Sequence, residues 1–140
     1  LGARQGTEVE VLRDLGFNNA IGIDLNPGPE NPLVKFGDFM NMDYEDNSVD
    51  FVYTNCIDHV FDLDLFFQEQ VRILKTTGKA MFEFAGPNNF GLFENIQWNS
   101  MGVPVTTMLK YFNEIDYAGC DRGFPHRGGK WMYFLVSNKA

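Results

Sequence analysis

Helical and strand-forming segments alternate along this 140-residue sequence and are joined by short loops. That order predicts an α/β fold, a doubly wound and mainly parallel sheet covered by helices on both faces. Two further observations shape the prediction. Apolar residues recur at helical spacing in some segments and form short compact runs in others. The last two strand-like runs are separated only by a Gly/Pro-rich turn, which predicts a terminal antiparallel hairpin.

Thr7 to Leu15 reads as a helix: Val11, Leu12 and Leu15 fall on one face, acids cluster in the first turn, and Gly16 follows to stop it. "NAIGIDL" is an apolar run ending in Asp24 and predicts a buried strand. "NPGPENP" must be a loop, because its prolines and glycine oppose regular pairing. "LVKFGDF" is a second short strand, and the acidic "NMDYEDNS" leads into a third, Val49 to Asn55. From Asp64 to Lys75 the helical period returns, with Leu63, Phe66, Phe67, Val71 and Leu74 as the apolar stripe. Asp62 or Asp64 is the expected N-cap, and Gly78 the residue just past the end. "KAMFEFAG" is the fourth strand. A helix from Pro104 to Phe112, with proline in its first turn, precedes the closing strands "NEIDYAGC" and "WMYFLVSN".

Composition narrows the classes. The length suits one domain, 1–140, with a core of its own. A 44% hydrophobic and 15% aromatic content excludes a disordered chain. No apolar run approaches the ~20 residues that span a bilayer as a helix. A net charge of −8 opposes nucleic acid as the main partner, since that binding rests on Lys and Arg neutralising phosphates. Cys56 and Cys120 are far apart and lack metal-ligand spacing, so neither a metal site nor a disulfide scaffold is expected, and a reducing cytoplasm fits best.

Ligands of such sheets bind beyond the carboxyl ends of the strands. Gly2 and Gly6 bracket a turn that opens a helix, where backbone N–H groups can face a ligand closely; Ala3, Arg4 and Thr7 complete that turn. Asp24 lies 18 residues after Gly6, at a strand tip, where an acid can accept both hydroxyl hydrogens of a ribose. Leu25 and Asn26 continue from it. In "GDF", Gly37 forms the turn, Asp38 can accept from an exocyclic adenine amine and Phe39 can pack on the base; an ordinary strand-end turn would read the same.

These segments in their order, "GARQGTE … GIDLNPG … GDF … DNSVDFVYTN … DHVFD … E-x-x-R-I-L-K-x-x-G", resemble the class I S-adenosylmethionine-dependent methyltransferases, specifically the type 11-like group. The resemblance covers Leu1 to about Ala85 and is carried by order and spacing rather than by any one element. It implies a Rossmann-like fold with a closing antiparallel hairpin, S-adenosyl-L-methionine as cofactor, and methyl transfer to a small acceptor. Gly2, Ala3, Arg4, Gly6, Thr7, Asp24, Leu25, Asn26, Gly37, Asp38, Phe39, Asn55 and Cys56 are the expected cofactor contacts. Arg4 departs from the family pattern by standing where the middle glycine of the loop belongs. The family's first strand has no counterpart before Leu1, so the expectation is a sheet lacking that strand, completed by another copy of the chain as a homo-oligomer or binding cofactor poorly.

His59, following the third strand, is the leading candidate for a general base and Asp58 a weaker one; a packing or capping role at the helix start is the other reading of His59 and the one its position favours. Arg122, His126, Arg127 and Lys130 crowd the final turn of an otherwise acidic chain. They suit an anionic small-molecule substrate, or simply balance surface acids. Trp98 closes an aromatic segment from Phe90 that serves as pocket wall, lid or core. Two rival readings stay open: a non-catalytic protein that keeps the cofactor fold, and a nicotinamide dinucleotide-binding protein. The second should show Gly-x-Gly-x-x-Gly, which this chain lacks.

Overall fold

The computed structural model describes residues 1–87, 94–121 and 130–138. The chain divides into two compact units, Leu1–Asp43 and Tyr44–Ala140.

The first unit holds α1 (Thr7–Asp14), β1 (Gly22–Asp24) and β2 (Val34–Phe36). The two strands pair in parallel, Gly22 opposite Val34 and Asp24 opposite Phe36. A small cluster of Ala3, Val9 and Val34 forms under them, with Ala20 and Leu33 against it. The buried face of α1 differs from the expected one. Val9 is buried and Leu12 and Arg13 are half-buried, whereas Val11 and Leu15 are exposed. Val9 meets the cluster and Arg13 Nε donates to the Ala20 carbonyl, so residues 9, 12 and 13 set the inward face. A stripe of apolar residues marks a helix without naming the side that finds a partner.

The second unit holds β3 (Val49–Thr54), α2 (Leu63–Ile73), β4 (Leu74–Ala85), α3 (Gly102–Met108), β5 (Glu114–Cys120) and β6 (Trp131–Ser137), with a 3₁₀ turn at Ile57–His59. Its sheet has the order β3-β4-β6-β5. β3 and β4 are parallel, and β6 runs antiparallel to both β4 and β5, which is the expected closing hairpin. Taken over both units, the pairing is mixed: β1–β2 and β3–β4 are parallel pairs, and the rest is antiparallel.

Of the two candidate caps, Asp62 takes the role: its extended backbone places Oδ1 3.0 Å from the Leu65 N–H. Asp64, already inside the helix, instead accepts from Lys110 Nζ at 2.9 Å and Tyr111 Oη at 2.8 Å, tying α2 to the turn that follows α3. Gly78 is no helix terminator. The backbone turns extended at Leu74 and enters β4 directly, and Gly78 lies buried within that strand, where an added Cβ would come 2.9 Å from the Lys75 carbonyl oxygen. With no loop between helix and strand, there was no turn signal to find.

Arg72 is the polar anchor of this unit. Its guanidinium donates to both carboxylate oxygens of the buried Glu69, at 2.7 and 2.8 Å, to Asp46 Oδ1 at 2.7 Å, and to the Tyr44 carbonyl at 2.7 Å. This is what the E-x-x-R spacing builds. One helical turn pairs Glu69 with Arg72, and the remaining donors hold the segment entering β3.

Candidate functional site

The cradle of the first unit starts from β1. Gly22 is buried where a Cβ would lie 2.6 Å from the Ala3 Cβ and 2.9 Å from Val34 Cγ2, so only glycine lets residues 2–6 lie against the strand. Gly2 and Ala3 N–H groups both donate to the Ile23 carbonyl, at 2.8 and 3.3 Å. The loop then turns through left-handed residues: Gly2 at φ 64, Arg4 at φ 44 and Gly6 at φ 94. For Arg4 that conformation costs about 1–2 kcal/mol relative to an ordinary right-handed one. In return its N–H is directed to Asp24 Oδ2 at 2.9 Å. The other oxygen, Oδ1, accepts the Asn26 N–H at 2.8 Å, and the Asp24 carbonyl accepts the Gly37 N–H at 3.0 Å.

The structure thus brings together Gly2, Ala3, Arg4, Asp24, Asn26 and Gly37. Ala3 and Gly6 are buried, Gly2 and Gly37 half-buried, and Thr7, Leu25 and Asn26 exposed. Asp38 Oδ1 accepts the Met40 N–H at 2.8 Å, closing the turn after Gly37, while Phe39 retains only 9% of its surface. The residue that sequence reasoning missed is Asn31. Its Nδ2 donates to the Pro27 carbonyl at 2.9 Å and the Gln5 carbonyl at 3.2 Å, and its Oδ1 accepts the Leu33 N–H at 2.9 Å. Asn31 therefore clamps the glycine loop to the proline loop. An asparagine between prolines is the one signal that hinted at it.

The donor set of this cradle is of the kind a nucleoside needs. Each Asp24 oxygen accepts one backbone N–H, which leaves lone pairs on both oxygens for a pair of vicinal hydroxyls. The carboxylate is only half-buried, so a ligand can reach it.

In the second unit the segment after β3 carries the other candidates. Asn55 and Cys56 are half-buried; the Cys56 N–H donates to Thr54 Oγ1 at 3.3 Å. Asp58 is buried and His59 half-buried, with His59 Nε2 3.8 Å from Asp58 Oδ1. At that distance the pair interacts by charge rather than by a hydrogen bond. Asn95, also missed from the sequence, holds the turn: its N–H donates to the Asp58 carbonyl at 2.8 Å and its Nδ2 to the His59 carbonyl at 2.5 Å. Trp98 is buried edge-on to Phe84, and its Nε1 donates to the Ala85 carbonyl at 3.0 Å. Lys130 is exposed. Arg122, His126, Arg127 and Phe90 lie outside the described residues.

Burial raises the Asp58 carboxyl above the ordinary value of 3.8; His59 and the backbone N–H of Asp58 itself oppose the shift, and Glu94 adds to it. Above 3.8 the folded chain therefore binds more protons at this position than the unfolded one, so this group's contribution falls as pH rises through the raised value. Asp58→Asn is expected to gain on wild type in melting temperature as pH rises above the ordinary aspartate value, with the gap closing below it. Thermal melts of both proteins across that range check this; a gap that widens on acidification would contradict it.

Among the described residues, no group of three or more His, Cys, Asp and Glu is arranged to hold a metal ion, and no helix is long and apolar enough to cross a membrane.

Residues 1–82 match the family model of the methyltransferase domain. A protein of Pyrococcus horikoshii OT3 superposes with a TM-score of 0.76 at 20% identity, over 99% of this chain and 79% of its own. An S-adenosylmethionine-dependent methyltransferase of Thermotoga maritima gives 0.76 at 18% identity, over 99% and 80%. A geranyl diphosphate C-methyltransferase of Streptomyces coelicolor, solved with S-adenosyl-L-homocysteine, geranyl diphosphate and magnesium, gives 0.70 at 12% identity, over 96% and 67%. A search of curated proteins found no match. At these identities the solved structures share the fold, a Rossmann-like α/β arrangement. The chain belongs to the methyltransferase domain family, in the class I S-adenosylmethionine-dependent group, whose cofactor is S-adenosyl-L-methionine.

Proposed function

We propose that this protein transfers the methyl group of S-adenosyl-L-methionine to a small acceptor, with Asp24 holding the ribose of the cofactor. The observation that carries the reading is the 2.9 Å bond from the Arg4 N–H to Asp24 Oδ2, which joins the glycine loop and the strand-tip carboxylate in one cradle. The cofactor supplies an activated methyl group. The protein's share is alignment, which is worth up to about 7–11 kcal/mol without covalent catalysis.

For an acceptor that must lose a proton, His59 is the proposed base. Half of the case is its position after β3, and half is its partial exposure, which leaves the imidazole open to a substrate. Asp58 supports the imidazolium by charge from 3.8 Å. The proposed acceptor is anionic, on the strength of the cations from Arg122 to Lys130; the likeness to an enzyme that acts on a diphosphate ester supports the same class.

Calorimetry with S-adenosylhomocysteine, followed by methyl transfer from labelled donor to a panel of phosphates, carboxylates, amines and alcohols, tests the proposal. His59→Ala is expected to lower kcat by about 10²–10⁴-fold for a proton-losing acceptor while leaving cofactor affinity unchanged. Cofactor binding without turnover on any acceptor would turn the reading toward a non-catalytic member; no cofactor binding would end it.

A further inference from the structure

We infer that the Arg4 side chain is the counter-ion for the carboxylate on the amino-acid arm of the cofactor; this rests on the nucleoside reading of the Asp24 cradle.

Three observations lead to it. First, Arg4 occupies a left-handed backbone position, φ 44, between two left-handed glycines. The loop needs that conformation so that the residue-4 N–H reaches Asp24, but glycine would supply the same N–H without strain. What arginine adds is its side chain. Second, that side chain is exposed, and among the described residues no ion pair engages its guanidinium, not even with the carboxylate its own backbone holds. Third, the surroundings are acidic: Asp24 faces the loop, and Glu8 and Glu10 occupy the first turn of α1. The first unit has three cations, Arg4, Arg13 and Lys35; Arg13 is engaged with the Ala20 carbonyl and Lys35 stands on β2. Arg4 is therefore the cation of the loop itself.

The ligand's chemistry matches this arrangement. A ribose on Asp24 sits beside residue 4, and the amino-acid arm leaves the same sugar through the sulfur. That arm ends in an ammonium and a carboxylate on one carbon; the acidic surroundings suit the ammonium and leave the carboxylate in need of a cation. A guanidinium on a three-carbon stem reaches outward from the loop and binds a carboxylate through two parallel N–H donors.

The test compares two ligands that differ only in the arm. S-adenosylhomocysteine carries it; 5′-methylthioadenosine keeps the nucleoside and sulfur but lacks the amino acid. Their affinities are measured by calorimetry on wild type, Arg4→Gly and Arg4→Gln. Arg4→Gly relieves the backbone and Arg4→Gln keeps its strain, so the pair separates side-chain charge from loop conformation. Both substitutions are expected to weaken S-adenosylhomocysteine about tenfold or more while changing methylthioadenosine by less than about threefold. Arg4→Gly should melt no lower than wild type, which sets its loss of affinity apart from unfolding. If both ligands bind wild type and their affinity ratio stays the same in both variants, the inference is overturned and the cradle stands. If wild type binds neither, cradle and inference fail together.

Discussion

Asp24→Ala is expected to weaken S-adenosylhomocysteine binding by about 30- to 1000-fold, equivalent to about 2–4 kcal/mol, from the loss of two hydrogen bonds to a charged acceptor. The loss follows from the cradle's geometry. The carboxylate spends one lone pair per oxygen on the Arg4 and Asn26 N–H groups and keeps others for the proposed sugar contact. Removing it deletes the proposed ribose acceptor and releases the loop from β1 at that point. The stability effect should be much smaller, about 1 kcal/mol, because both freed N–H groups lie at exposed positions where water replaces the carboxylate. Asp24→Asn sharpens the test. It keeps the side-chain volume and one acceptor oxygen, but its amide nitrogen cannot accept from the Arg4 N–H or from a hydroxyl. An intermediate loss is expected. Calorimetry beside thermal melts separates the two effects, and an unchanged affinity in Asp24→Ala would remove the nucleoside cradle from the account.

Phe82→Ala is expected to cost about 3–5 kcal/mol of unfolding free energy, a large part of the 5–15 kcal/mol typical of a domain. Phe82 is fully buried on β4, opposite Thr54 of β3 and Phe134 of β6. Its ring makes edge contacts with Phe66, Phe67 and Phe112 at centroid separations of 5.9, 5.3 and 5.4 Å. The ring therefore joins α2, the central strand and the segment after α3, and truncation leaves a cavity bounded by three rings that cannot all close on it. Phe82→Leu fills much of that space and should cost clearly less. Urea unfolding at constant m-value measures both. A loss below about 1 kcal/mol for Phe82→Ala would mean that the aromatic cluster repacks freely, contrary to the close packing described.

Much of this protein is legible without coordinates. The run ending in Asp24 forms β1, the runs beginning at Val49 and Lys79 form strands, and the stripe from Leu63 to Val71 marks α2, whereas Leu74 and Lys75, read as helix, already belong to β4. These are local patterns, written in side-chain periodicity and turn residues. The spacing from Gly6 to Asp24 was legible for the same reason, since one helix and one short strand leave little freedom in where the carboxylate arrives. What misled were features whose meaning depends on a distant partner. Val11 and Leu15 have the right spacing for a core face, yet Val9 is the residue that meets Ala3 and Val34. Gly78 looks like a helix stop but is a strand position made glycine by the Lys75 carbonyl. Asn31 and Asn95 are two unremarkable amides until the loops they hold are folded around them.

The sequence by itself determined the order and type of the elements, the closing hairpin and an acid at the tip of β1. Only the tertiary structure decided that this acid accepts from residue 4, that Asp62 rather than Asp64 caps α2, and which side of α1 is buried. Periodicity and capping act within a few residues and so can be read along the chain. A hydrogen bond between residues 4 and 24, or a packing face, exists only once segments far apart in sequence occupy the same space.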